Sequence, residues 1–307
     1  MIFLRIVTLA IHLLAMNLAS AGPLLAIWLD AKSQRNESES IDRVGRTLGW
    51  WSVVALFIGT LVGLTQGTLI WLQGNEAYFQ ALDSVWASKV IFGIWEIVFS
   101  LVCMIGYLAW WQSGKRSRRW QRFLSRFLAI LAATNLLYHF PTLFTIIGLI
   151  ARGEIDVEPP VDSGEFRTLL VQGQVIWFTL HFWFSSLAVG GLVAGILCLK
   201  RLPEEEREST AATAFLVALV ATLLQIPVGF VLATTLNSTQ QSRLMGGDGL
   251  CTAMFALGVG LAFWLMHHLA GLAFFDRSLK KANAAMMTLG GTIVVMTATL
   301  LLSRGGM

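Results

Sequence analysis

GTLVGLTQGTLIWLQGNEAYFQALDSVWASKVIFGIWEIVFS, residues 59–100, decides how this chain is read. Two apolar stretches flank a short polar connection, and one carboxylate, Glu96, sits inside the second stretch. Apolar runs of about 20 residues cross a bilayer as helices, and an ionisable side chain within such a span marks a functional site by default. The rest of the chain follows the same pattern. Of its 307 residues 56% are hydrophobic and 13% charged, against about 25% charged in soluble domains. Eight apolar segments are legible: 3–29, 46–72, 87–112, 122–151, 168–200, 209–236, 249–275 and 283–302. Lipid leaves backbone amides no partner, and the segments are too long for barrel strands. The reading is therefore an all-α, polytopic helix bundle with eight transmembrane helices in a single domain, 1–307.

Loop charge orients the bundle, because cytoplasmic loops collect Lys and Arg. Basic residues follow the first segment (Lys32, Arg35, Arg43, Arg46), the third (Lys115, Arg116, Arg118, Arg119, Arg122), the fifth (Lys200, Arg201, Arg207) and the seventh (Arg277, Lys280, Lys281). Residues 73–86 carry none, and the loop after the fourth segment is acidic: Glu154, Asp156, Glu158, Asp162 and Glu165. This alternation places both termini outside and supports a count of eight. Arg5, an apolar run and Ala19-Ser20-Ala21 have the outline of a secretory signal, whose apolar core is about 7–15 residues. Here the run continues to Leu29 and positive charge follows it, so the segment is read as a retained span. The net charge of +4 belongs to the inner loops and does not point to nucleic acid. Cys103, Cys198 and Cys251 form no CxxC or CxxCH pattern. Gly59, Gly63 and Gly67 lie on one helix face as a small-residue packing stripe. Pro159-Pro160 reads as a rigid outer loop and Pro227 as a kink.

With that orientation, His12, Glu96, His139, His181 and Met254 all fall in the outer half of the membrane at 1.5 Å per residue. Less apolar faces surround them at helical spacing: Lys89, Gly93, Glu96, Ser100 and Cys103; Asn135, His139 and Thr142; Gln174, His181 and Ser185. Single histidines on separate helices at one depth suit axial ligation of heme iron, with a second His, a Met or a carboxylate opposite. Zinc favours tighter clusters, and no HExxH occurs. The plain alternative is a set of imidazoles that hydrogen-bond neighbouring helices. His267 and His268 lie near the inner end of the seventh segment and read as interfacial.

These residues resemble subunit I of the cytochrome bd-type quinol oxidases. His12 lies in a similar opening helix, Gly63–Phe79 (GLTQGTLIWLQGNEAYF) resembles the glycine-rich approach to the first outer loop, and LLQIPVGF with RLMGGDG resembles the sixth helix and the start of the quinol loop. The resemblance implies a low-spin heme b on His181 and on Met254, within MFALGVGLAF, and a second, oxygen-reactive heme on His12 faced by Glu96. It implies two b-type hemes, or a different heme variant at His12; His139 has no aligned counterpart in the family and stays a candidate cofactor contact from its depth in the membrane alone. The chain departs from the family in its short 237–248 segment and in lacking the late glutamate and Gly-Arg-Gln-Pro-Trp run, which places it as a shortened, divergent member.

The implied function is electron transfer in the bacterial inner membrane. Electrons would pass from the low-spin heme to a second iron that reduces oxygen or another small oxidant, with Glu96 as its catalytic group. If His139 or Glu96 closes that iron, the chain is an electron carrier within a larger respiratory complex. The expected partners are other membrane subunits or an outer-face cytochrome, and the short loop argues against quinol. The competing class is a proton-coupled transporter, for which helices broken at mid-membrane would speak.

Overall fold

The structure is a computed structural model that describes residues 1–114 and 118–305; the expected basic residues Lys115 and Arg116 lie outside them. Among the described residues there is no strand. The eight spans are α1 (Ile2–Asn36), α2 (Glu39–Leu72), α4 (Ile91–Gln112, entered through a π-helical turn at Trp86–Val90), α5 (Arg119–Ala151), α7 (Gly173–Arg201), α8 (Glu204–Thr234), α10 (Gly249–Phe274) and α11 (Leu279–Ser303). Three short helices sit in the connections: α3 (Glu76–Ser84), α6 (Ser163–Leu169) and α9 (Ser238–Ser242), the last followed by a π-helical turn at Arg243–Gly247. The chain is an all-α, multi-pass membrane bundle.

Helix starts follow capping chemistry. Ser38, Asn75, Asp162, Asn237, Asp248 and Ser278 each accept a backbone N–H from the first turn they precede. The spans outrun their apolar segments where polar residues continue the helix. Thus α1 carries Lys32 and Arg35 and ends only where Glu37 adopts a left-handed conformation, φ 52°. In the same way α8 begins with Glu204, Glu205 and Glu206, acids that favour a helix N-terminus. Pro23, Pro141 and Pro227 all lie inside unbroken helices.

The most buried span is α7, enclosed from Ala188 to Leu199. A Cβ on Gly191 would lie 2.8 Å from the Ala214 carbonyl oxygen, so glycine lets the α7 and α8 backbones close up. In lipid, where apolar surface gains little from burial, such close approach is a main source of helix association.

The two ends of the bundle differ. At one end Asp30 of α1 is fully buried and accepts from Arg126 of α5 at 2.8 Å, while Trp111 of α4 donates to Asp42 of α2 at 2.7 Å. At the other end Arg5 donates to Gln73 at 2.7 Å and Arg243 donates to the Leu302 carbonyl at 3.2 Å. Both chain ends therefore lie at that second, acidic end. There α3, α6 and the 152–162 loop share a small apolar core around Val85, Val161 and Phe166, tied by a Val161 N–H to Ser84 carbonyl bond of 2.9 Å. Glu154 anchors this layer, accepting from Arg152, Gln174, Asn237 and Gln240. Burial pushes its carboxyl up, but the Arg152 guanidinium and the two amides of Gln174 and Asn237 outweigh burial and hold it below the usual value.

Candidate functional site

A cavity of about 250 Å³ opens between α1, α7, α8, α10 and α11. Its wall is mostly apolar. Leu13 and Asn17 come from α1, His181 from α7, Gln225 and Gly229 from α8, and Gly258 and Met296 from α10 and α11. The segment between α8 and α10 contributes Leu244, itself buried, to the cavity wall.

His181 is the ionisable residue in that wall. Its Nε2 lies 3.1 Å from the Gln225 amide nitrogen, and its Nδ1 is buried with no hydrogen-bond partner. With the amide in this orientation it donates to Nε2, so Nδ1–H has no acceptor. With the amide turned, Nε2–H donates and a bare Nδ1 lone pair is left. Either way one ring nitrogen is unmet, which costs about 1–3 kcal/mol when buried. Gly229 faces the ring edge, where a Cβ would sit 3.4 Å from Cε1. Below the ring, Asn17 bridges α1 and α7: it donates to Ser185 Oγ at 3.0 Å and accepts from Ser186 Oγ at 2.9 Å.

His12 occupies a different flank of α1, against α2. Its Nδ1 donates to the Gly59 carbonyl oxygen at 2.7 Å. A carbonyl can only accept, so the proton is on Nδ1 and Nε2 keeps its lone pair for a metal. The ring lies where a side chain at position 63 would be, because a Cβ on Gly63 would meet His12 Cε1 at 2.8 Å. Gly59 likewise admits Met16 Sδ, whereas Gly67 faces open space. The expected packing stripe is thus two positions long, and one of them is a seat for an imidazole.

Glu96 is brought to His139. The carboxylate Oε1 lies 3.9 Å from His139 Nε2 across the α4–α5 contact, and the histidine side chain is 35% exposed. Asn135 braces this pair by donating to the Glu96 carbonyl at 2.9 Å and to Ser100 Oγ at 2.8 Å. Lys89, on the π-helical turn, lies over the Phe166 ring at 4.9 Å. The polar face expected on α4 is therefore real, and its partner is the matching face of α5. Met254 is half-buried on α10, one turn before Gly258, and is not among the described residues that line the cavity. His267 and His268 lie far along α10 against Trp264, at the basic end.

Several contributors were not singled out from sequence as site residues. Gln225 lies within LLQIPVGF, and its polarity at mid-span was an available signal. Asn17 was equally visible as an amide in the first apolar run. Met296 and Gly258 carry no such mark, because a methionine and a glycine in an apolar span look like packing.

Three features suit a flat, largely apolar macrocycle held through its iron: an apolar cavity, an imidazole with an unmet nitrogen in its wall, and small residues beside that ring. No metal-ligand cluster of three or more His, Cys, Asp or Glu occurs among the described residues. The set offered is one of isolated donors, which is what heme needs.

No sequence-family model and no curated protein sequence matches the chain. A solved structure does: bd oxidase from Geobacillus thermodenitrificans matches over 98% of this chain and 85% of its own, with a TM-score of 0.69 and 12% identity. At that identity the likeness shows a shared fold and nothing more: the eight-span bundle is folded like that bd oxidase.

Proposed function

We propose that this chain is a heme-bearing electron-transfer protein of the bacterial inner membrane, of the bd oxidase subunit I type. The observation that carries the reading is the unmet, buried nitrogen of His181 in the wall of an apolar cavity, within a fold shared with a bd oxidase. Heme bound there supplies one-electron chemistry.

The chain's own residues have separable tasks. His181 would hold the heme iron, and Gln225 and Gly229 set the position of its ring. His12 offers Nε2 to a second heme, with Gly59 fixing its tautomer. Glu96 and His139 form a carboxylate–imidazole pair across the α4–α5 contact, 3.9 Å apart, too far for a direct hydrogen bond and close enough for their charges to interact. The donor is a partner docking at the acidic end, where the outer layer of α3 and α6 lies, and other membrane subunits complete the assembly. The transporter reading rests on helices broken at mid-membrane, and the spans here are continuous.

Reoxidation of the dithionite-reduced, purified protein by oxygen, followed by its absorption spectrum, tests the reading. The expected result is fast reoxidation with carbon monoxide binding at one site, lost in His12→Ala. Reduced hemes that bind no carbon monoxide and reoxidise slowly would make the chain a carrier only. Absence of any redox-active chromophore would end the proposal.

A further inference from the structure

Arg5, Arg152 and Arg304 converge at the end of the bundle whose loops are acidic. Arg5 of α1 is 5% exposed and donates to Gln73, yet its Nε is buried with no hydrogen-bond partner. Arg304 follows α11 and is partly buried. Burial, and then the charges of Arg152 and Arg5, push its guanidinium down to about 9, and Glu154 and Tyr78 offset this only in part. Tyr78 of α3 lies close enough to feel both Arg5 and Arg304. The carboxylate of this group, Glu154, is already engaged by Arg152, Gln174, Asn237 and Gln240. Asp156 and Glu158 of the same loop are exposed. Three guanidiniums therefore share one carboxylate in a largely desolvated layer.

We propose that Arg5 and Arg304, backed by Arg152, bind an oxyanion, a carboxylate or phosphate group, within this outer layer. A guanidinium presents a planar fork of N–H donors that matches such oxygens. An anion there meets the Arg5 Nε–H and relieves the repulsion among three cations, which is strong where water is excluded. None of the three arginines is among the described residues lining the His181 cavity, so the site is separate from it and does not depend on heme there. Two sources supply the group. One is a free anion from solution. The other is an acid side chain of a porphyrin bound through His12, because Arg5 stands two turns before His12 on the same face of α1, about 10 Å away at 1.5 Å per residue. The plain alternative is that the guanidiniums are only hydrated.

Thermal unfolding of the full chain as purified in detergent, with inorganic phosphate replacing chloride at constant ionic strength, tests the site. A free anion predicts a saturable rise of the unfolding midpoint, about 2–4 °C at tenfold excess over the dissociation constant. Arg5→Gln and Arg304→Gln should lose the rise, Arg304→Lys should keep part of it, and Arg277→Gln at the basic end should keep all of it. Without phosphate, Arg304→Gln should unfold above the parent because it removes an uncompensated charge, a reversal that a purely structural arginine would not give. If a porphyrin acid fills the site instead, phosphate has no effect on the parent and Arg5→Gln retains less heme. Reconstitution with the porphyrin dimethyl ester, which lacks the acid groups, should then erase that difference. A parent indifferent to phosphate, with heme retention equal in parent and Arg5→Gln, would overturn the proposal. A heme-free parent would end the functional reading and leave the phosphate arm to decide this one.

Discussion

The Gly59 carbonyl oxygen accepts a hydrogen bond from His12 Nδ1 at 2.7 Å, and one turn further along α2 the missing side chain of Gly63 makes room for the ring. The two glycines therefore set the tautomer and the seat of one imidazole.

Gly63→Ala is expected to displace that ring, because its Cβ would arrive 2.8 Å from Cε1. The heme bound through His12 should be lost or should change spectrum, while the His181 heme stays. Gly67→Ala, whose Cβ meets nothing, should be silent. Equal spectra for both variants would show that His12 holds nothing.

Glu96 and His139 should act as a unit. Glu96→Gln keeps the shape and removes the charge, so it should raise the midpoint potential of the His12 heme and flatten its pH dependence. His139→Gln should change the same slope, and the double variant should fall short of the summed effects by about 0.5–3 kcal/mol, as contacting residues do. Redox titration across pH measures all three, and strict additivity would separate the two residues.

At the basic end Asp30→Asn should destabilise the bundle by about 3 kcal/mol, because it leaves Arg126 facing an uncharged partner at a fully buried position. Glu208→Gln removes the partner of Arg277 from a carboxylate that is 78% exposed and should change stability by about 0–1 kcal/mol. Thermal unfolding in detergent reads both, and similar shifts would contradict this assignment of burial.

Glu154 makes the acidic-end layer sensitive to acid. Its folded carboxyl is held below the ordinary 4.5. A depressed carboxyl contributes stability that is complete above the unfolded value and is lost as pH falls through the folded one. Unfolding followed from about pH 6 to about pH 3 should show a loss that is smaller in Glu154→Gln. A parallel loss in both proteins would assign the acid sensitivity elsewhere.

The eight spans and their alternating ends were legible, because apolar length and loop charge are local properties of the chain. Partner choice is not local. The polar face carrying Glu96 was visible at helical spacing, but whether it meets α1 or α5 depends on helix order in the bundle, and it meets His139 of α5. Gly63 read as packing because a glycine's neighbour is unspecified until helices dock. The seat of Met296 was hidden for the same reason: it depends on the absent side chain of Gly258, one helix away. That Leu244 of the short 237–248 segment lines the cavity was likewise not legible, because it depends on how α9 and its π-helical turn fold back.

Heme binding at His181 is what the proposed function rests on. Its most direct test is the pyridine hemochrome content of the purified protein beside that of His181→Ala, expressed with heme in excess. The parent is expected to carry b-type heme, and the variant to lose one equivalent per chain together with the low-spin signal. A folded parent with no heme, or a variant that keeps its full complement and its low-spin spectrum, would contradict it.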